Sequence, residues 1–294
     1  MAKMASKLKK ILKRPEIIVA PGAPNPLTGK IVEMMGFKCA YMGGYMSGAQ
    51  WCTTEPLTTC TEFADWARYI TAVINIPLIV DGDAGYGDAV HTHRAVRLYE
   101  LAGIAAMHIE DQVFPKRASY HKGIEHIISG EEMISKINVA IDSREDMLII
   151  ARTDAIRAVG VESLDEAIRR LNLYMDAGAD MGMPIGVSTM EQVKRIPEEV
   201  DAPLVYVSGD PFGLKLTPKE LERYGWKIVI YSFAPIAAAY GGPGIIPAYQ
   251  NLKNTGRTGM DEEKMVPVRR LVEEAEGLPF YYEIEEKTTE MKTN

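Results

Sequence analysis

"PLIVDGDAGYGDAVHTHRAVRLYELAGIAAMHIED", residues 77–111, reads as one strand–helix–strand unit. Its first run is apolar until it reaches Asp81 and Asp83, and its last run ends in Glu110 and Asp111. Neither run alternates polar with apolar residues, as expected of strands buried on both faces of a parallel sheet. Between them, "AVHTHRAVRLYELAG" has helical periodicity and stops at Gly103, a residue that takes a left-handed helix end without strain.

The same rhythm runs along the whole chain. Strand-like runs are "IIVAPGA" from 17, "CAYMGG" from 39, "PLIVDGD" from 77, "AMHIED" from 106, "MLIIARTDA" from 147, "ADMGMPI" from 179, "PLVYVSG" from 203 and "KIVIYSF" from 227. Helical patterns such as "TEFADWARYITAVI", "SGEEMISKINVAI" and "SLDEAIRRLNLYMDAG" lie between most of them. Several open at a capping residue (Thr61, Ser129, Ser163), and the last closes on Gly178. Strand and helix alternating eight times predict an α/β fold, a (β/α)8 TIM barrel, as a single domain over residues 1–294. A helical extension begins at about 235, and its end, "EEKTTEMKTN", is expected to fray.

A chain of 294 residues with 47% hydrophobic residues buries a core of barrel size. The net charge of -7 gives no footing for nucleic acid. The one basic run, "KLKKILKR" near the N-terminus, reads as an amphipathic surface helix rather than a membrane anchor. No stretch approaches the roughly 20 apolar residues of a membrane span, and no signal peptide is evident. Cys39, Cys52 and Cys60 lack CxxC spacing and read as free thiols of a cytoplasmic protein.

Barrel active sites lie at the C-terminal ends of the strands. There the chain places Gly43 and Gly44, Asp81 and Asp83, His108 with Glu110 and Asp111, Arg152 and Asp154, then Tyr206, Ser208 and Asp210. So many carboxylates at one mouth repel each other unless a cation joins them. Oxygen donors without a nearby cysteine favour Mg2+ (or Mn2+), with one direct carboxylate and the others acting through water. Each piece also has a plain structural reading: a tight glycine turn, a salt-bridged strand end, or a hydrogen-bonded structural histidine at His108. Their common position at one end of successive strands argues for a site. "VFPKRASYHKG", residues 113–123, then supplies Lys116, Arg117, Ser119, Tyr120 and His121 in one loop, a set suited to an anion.

"VDGDAGYGD", "HIEDQVFPKR" and "IIARTDA" together resemble the isocitrate lyase and phosphoenolpyruvate mutase superfamily, most closely its methylisocitrate lyase and dimethylmalate lyase branch. The resemblance covers roughly residues 15 to 235. It implies Asp83 as the metal ligand, with Asp81 and Glu110 holding metal-bound water. It implies that backbone N–H groups at Gly43 and Gly44, together with Arg152, grip a pyruvate-like fragment. Residues 115–123 would be the mobile catalytic loop, with Lys116 as its cation, and the last helix would be swapped with a neighbour in a homotetramer. The implied function is a Mg-dependent lyase that cleaves a C–C bond in a 2-hydroxy or 2-oxo di- or tricarboxylic acid through a pyruvate-like enolate.

The chain departs from the lyase pattern in its other half. The loop frame KRCGH carries Ala118 where the lyases have their proton-transferring cysteine, so Ser119, Tyr120 or His121 would have to replace it. His121 has the better intrinsic pKa for that work, and Tyr120 would need a cation such as Lys116 beside it. Ile185 stands for a glutamate on strand six, Tyr206 for an asparagine on strand seven, and the arginine expected after strand eight is absent from "YSFAPIAAAY". Alternatives are therefore a decarboxylase or hydrolase of oxaloacetate-like acids, a phosphonopyruvate mutase or hydrolase, and a non-catalytic relative.

Overall fold

Parallel strands need crossover helices, and the helix signals of the sequence fall where crossovers are required. The structure, a computed structural model, describes residues 2–210, 212–242 and 244–288. The strands are β1 (Ile18–Pro21), β2 (Ala40–Met42), β3 (Leu78–Asp81), β4 (Ala106–Glu110), β5 (Leu148–Thr153), β6 (Met181–Pro184), β7 (Val205–Val207) and β8 (Ile228–Tyr231). They pair in parallel as β1–β8–β7 and as β2 through β6 in order. Bridges Gly22–Tyr41 and Gly182–Leu204 join the two groups and close the barrel.

The crossovers are α2 (Pro26–Met34), α3 (Gly44–Gln50) with α4 (Cys60–Thr71), α5 (Ala89–Leu101), α6 (Gly130–Ser143), α7 (Leu164–Asp176), α8 (Met190–Glu199) and α9 (Pro218–Arg223). Ser129 and Ser163 cap α6 and α7 as the sequence predicts, each accepting a backbone N–H at 3.1 Å. The cap of α4 is Thr59 rather than Thr61, because Thr59 closes a reciprocal capping box with Glu62. Gly103 and Gly178 end α5 and α7 with φ of 81° and 96°. The basic N-terminal run forms α1 (Ala2–Leu12), which buries Ala5 and Leu8 while leaving Lys9 and Lys10 exposed.

Side-chain parity along the strands sorts barrel interior from helix layer. Leu78, Val80, Met107, Ile109, Ile149 and Ala151 pack with Ala95, Val96 and Met133 of the surrounding helices. Their neighbours Ile79, Asp81, His108, Glu110, Ile150 and Arg152 therefore point inward. On the other side Leu204, Tyr206 and Val229 pack outward with Leu221 and Trp226. This sends Val205, Val207, Ile228 and Ile230 inward.

The chain divides into two compact units, Met1–Pro235 and Ile236–Asn294. The second holds most of α10 (Ala234–Tyr240), then α11 (Ile245–Thr255), α12 (Glu262–Ala275) and α13 (Leu278–Thr288). Its apolar side chains Val266, Val268, Phe280 and Ile284 remain exposed. The expected frayed end falls largely on residues 289–294, which lie outside the described residues. Among the described residues, no helix is long and apolar enough to cross a membrane.

Candidate active site

Parallel register brings the inward polar groups into layers. Asp81 lies beside His108, and Glu110 beside Arg152. The Asp81 carboxylate accepts the Gly44 N–H at 3.0 Å and the Asp83 N–H at 2.8 Å. A Cβ on Gly44 would stand 2.5 Å from Glu55 Oε2 and 2.9 Å from Asp81 Oδ2, so only glycine allows this approach. Asp83 holds a left-handed backbone with φ of 52°. Three bonds over-determine that conformation: Ala84 N–H to Asp83 Oδ1 at 2.6 Å, Glu110 N–H to the Asp83 carbonyl at 3.0 Å, and Lys136 Nζ to the Ala84 carbonyl at 3.1 Å.

Two buried cations stand among the carboxylates. Lys116 Nζ lies 3.2 Å from Glu110, 3.3 Å from Asp83 and 3.7 Å from Glu55. Arg152 reaches Glu110 at 2.6 Å and donates through Nε and Nη2 to both oxygens of Asp154, at 2.9 and 3.0 Å. Asp154 also takes Gln112 Nε2 at 3.3 Å, and Gln112 Oε1 accepts the Arg117 N–H at 3.2 Å, which ties the base of the loop to the arginine. Burial raises Asp81, but Lys116, His108 and Arg152 outweigh it and hold its carboxyl below the usual range. At Glu110 burial wins over Arg152 and Lys116 and pushes the carboxyl upward. Glu55 is raised for the same reason. The carboxylates Glu55, Asp81, Asp83, Glu110 and Asp154 outnumber the cations Lys116 and Arg152 when all are ionised, and both Glu110 oxygens, though each faces a cation, are buried without a well-aligned hydrogen bond.

That charge deficit and hard-oxygen donor set fit a divalent cation of the Mg2+ type. Among the described residues, no three His, Cys, Asp or Glu side chains close on one point as a direct cage. His108 is the structural histidine of the plain reading: its Nε2 lies 3.0 Å from Tyr41 Oη, and burial lowers its pKa to about 4, so the ring is neutral.

The loop splits its functional groups between two levels. Lys116 is 2% exposed and points into the carboxylates, while Tyr120 and His121 meet at Thr54 on the rim. Thr54 Oγ1 lies 2.8 Å from His121 Nε2 and 3.2 Å from Tyr120 Oη. Burial and the nearby Glu55 carboxylate raise the Tyr120 pKa, so the phenol keeps its proton and does not gain the depressed pKa that a basic role demands. Ala118 is buried beneath them, its N–H 3.5 Å from His121 Nδ1.

Thr54, Glu55 and Lys136 are the site residues that sequence reasoning misses. None sits at a strand end, and only "WCTTEPL", a polar segment following the Gly43–Gly44 turn, hints at the first two. Ile185 continues the inward parity of Met183 and faces the mouth as expected. Tyr206 does not: its ring packs edge-on against Trp226 at 5.1 Å, in the helix layer. Val207, partly exposed, takes the inward place on β7.

A closed parallel barrel with carboxylates, buried cations and a loop at its C-terminal mouth defines a class: (β/α)8 enzymes built around a small-anion site. The chain belongs to the phosphoenolpyruvate phosphomutase family, which matches residues 8–243, within the superfamily shared with isocitrate lyase. It is 38% identical over 235 residues to the 2-methylisocitrate lyase of Aeropyrum pernix, covering 79% of this chain and 75% of that one. It is 37% identical over 268 residues to the 2,3-dimethylmalate lyase of Eubacterium barkeri, covering 89% and 90%. Its structure is similar to oxaloacetate acetylhydrolase bound to 3,3-difluorooxalacetate, with TM-score 0.87, 30% identity and 99% of each chain covered. It is also similar to phosphonopyruvate hydrolase in complex with oxalate and Mg2+, with TM-score 0.85, 27% identity, and 97% of this chain and 99% of that one covered.

Proposed function

We propose that this protein is a Mg2+-dependent (or Mn2+-dependent) lyase that cleaves a C–C bond in a 2-hydroxy or 2-oxo carboxylic acid and releases a pyruvate-like product. The carrying observation is the convergence of Asp81, Asp83, Glu110, Lys116 and Arg152 at one mouth, with more negative charge than the two cations balance. Asp83 is the proposed direct ligand, and Asp81 and Glu110 hold the ion through water. A divalent ion there supplies a Lewis acid for the charge that grows as the bond breaks. Arg152, held bidentate by Asp154, orients the substrate carboxylate. Gly44 lets the Asp81 and Glu55 carboxylates approach the backbone closely. Lys116, buried among Glu110, Asp83 and Glu55, would supply positive charge for the negative charge that grows on the substrate. His121, oriented by Thr54, is the proposed proton carrier in the loop.

A second reading, hydrolysis or decarboxylation of an oxaloacetate-like acid, is favoured by Ala118, whose methyl moves no proton. A panel of dimethylmalate, methylisocitrate, oxaloacetate and phosphonopyruvate with Mg2+, followed by pyruvate, acetate and oxalate detection, separates the two. Pyruvate from a malate-type acid supports the lyase, and oxalate plus acetate from oxaloacetate replaces it. The free cysteines fit a cytoplasmic setting, and the exposed apolar residues of α12 and α13 fit a helix-exchanged homotetramer, read by light scattering.

A further inference from the structure

A single chain of alternating charge threads the mouth. Glu125 Oε2 lies 3.0 Å from Arg157 Nε. Arg157 donates through the same Nε to Asp154 Oδ1 at 2.9 Å, and its Nη2 lies 2.8 Å from that oxygen. Asp154 holds Arg152 through two bonds, Arg152 meets Glu110 at 2.6 Å, and Glu110 meets Lys116 at 3.2 Å. Lys116 and Glu125 belong to the same loop, so its outgoing and returning arms engage the chain from opposite ends.

The stem of that loop closes without these charges. Val113 donates to the His126 carbonyl and Ile128 to the Asp111 carbonyl, each at 2.8 Å, and Gln112 pairs with Ile127. Arg170 Nη1 donates to the Ile128 carbonyl at 2.9 Å and to the Asp111 carboxylate at 3.1 Å. Above the stem, Glu125 is buried while Lys122, Gly123, Ile124 and His126 around it are exposed. Its carbonyl accepts the Val159 N–H at 3.3 Å, so backbone and side chain both meet the segment after β5. A carboxylate drawn out of water on an otherwise exposed arm is offset only by its cation. Arg157 is also the second guanidinium on one buried carboxylate, and Glu125 supplies the charge that lets it share Asp154 with Arg152.

We propose that Glu125 and Arg157 form the latch that seats the returning arm of the loop on the mouth, and that they are positioning residues acting through Arg152 and Lys116. That Arg152 and Lys116 meet an anionic substrate rests on the reading above, whereas the latch itself does not. Seating the returning arm holds the outgoing arm with it, because the stem joins them. Lys116 then stays over the carboxylates. An unlatched loop lowers the fraction of protein competent to bind an anion, and apparent affinity falls with that fraction.

The test uses the full chain with Glu125→Gln, Arg157→Gln, Arg157→Lys and the double Glu125→Gln/Arg157→Gln variant. Hydrogen exchange over residues 114–125 is read without metal, and Mg2+ and then oxalate binding are read by calorimetry. Each single change should speed that exchange about tenfold, and the double variant should be no faster than Arg157→Gln. Arg157→Lys keeps the charge and loses the fork, so its loss is not an effect of charge. Glu125→Gln should bind Mg2+ as before and oxalate about tenfold more weakly. Charge alone gives the opposite sign, since removing a carboxylate tightens anion binding. Unchanged exchange in Glu125→Gln overturns the latch, as do losses that add in full in the double variant. Oxalate binding as tight as before, or an equal loss for Mg2+ alone, overturns the positioning role. If the unaltered chain binds no Mg2+ and oxalate, the reading of the site falls, and exchange still decides the latch.

Discussion

The two halves of the barrel mouth are made by the same strand parity and differ in everything else. From β2 to β5 the inward positions nearest the mouth are Tyr41, Asp81, His108, Glu110 and Arg152, with Tyr41 hydrogen-bonded to His108 and Glu110 paired with Arg152. From β6 to β8 they are methionine, isoleucine and valine. The polar half is over-determined, since moving any one group strands another buried charge. The apolar half is held by packing alone and is open to exchange of side chains. On the proposed reading, the polar half carries the chemistry, where geometry is costly to change, and the apolar half carries substrate preference, where change is cheap.

Breaking the polar half should give the largest effect. Asp83→Asn keeps the left-handed backbone, which asparagine tolerates, and removes the charge. Turnover should fall at least about 10³-fold and Mg2+ affinity should drop in calorimetry, with the melting temperature nearly unchanged. Full activity in this variant would remove Asp83 from the metal. Lys116→Met leaves Glu110 and Asp83 buried without their cation, which costs about 3–5 kcal/mol of stability in metal-free protein. The loss should shrink on adding Mg2+, because the ion replaces the missing charge. Equal losses with and without Mg2+ would mean that the ion binds elsewhere.

The apolar half should discriminate by somewhat less. Isocitrate and methylisocitrate place an extra carboxylate against Ile185 and Val207, and kcat/KM should be about 10²-fold or more below that of a dialkyl malate. Comparable values for the two classes would sink the contrast between the halves. At the rim, His121→Ala should reduce turnover roughly 10²-fold and Tyr120→Phe only slightly, given the raised phenol pKa. If both variants turn over normally, no loop side chain carries the proton and the decarboxylase or hydrolase reading takes over.

The smallest effect lies outside the mouth, on α7. Glu166 accepts from Arg169 and Arg170 at 2.7 Å, and these bonds hold its carboxyl down at about 2. A carboxyl whose pKa is depressed by folding stabilises the protein above its ordinary pKa of 4.5, and that contribution fades as pH falls toward 2. Exposure limits it to less than about 1 kcal/mol. Glu166→Gln should therefore lower stability slightly at pH 7 and not at all near pH 2, measured by urea unfolding. A large loss at pH 7 would show that Glu166 supports the mouth through Arg170 and Asp111.

The barrel and its polar mouth were legible because both are local patterns. A short apolar run that alternates with helical patterns reads as a buried strand, and a carboxylate at its end then lies at the mouth by chain direction alone. Asp81, Asp83, Glu110 and Arg152 needed nothing more. Their charges also called for a cation before any distance was known.

What the tertiary structure decided is direction and company. A run buried on both faces has no alternation, so its parity is invisible until helices pack against it. That is why Tyr206 reads as a mouth residue and in fact lies against Trp226. Thr54 and Glu55 enter the site because a loop folds back over the strand ends, a closure between residues more than 50 positions from their partners in the 113–123 loop. Lys116 reads as a cation awaiting an anion, and the fold places it among the protein's own carboxylates, where burial makes an unpaired charge most costly. Sequence determined which chemical groups the mouth would hold. Only packing, which acts between segments distant in the chain, determined which way they face and which of them meet.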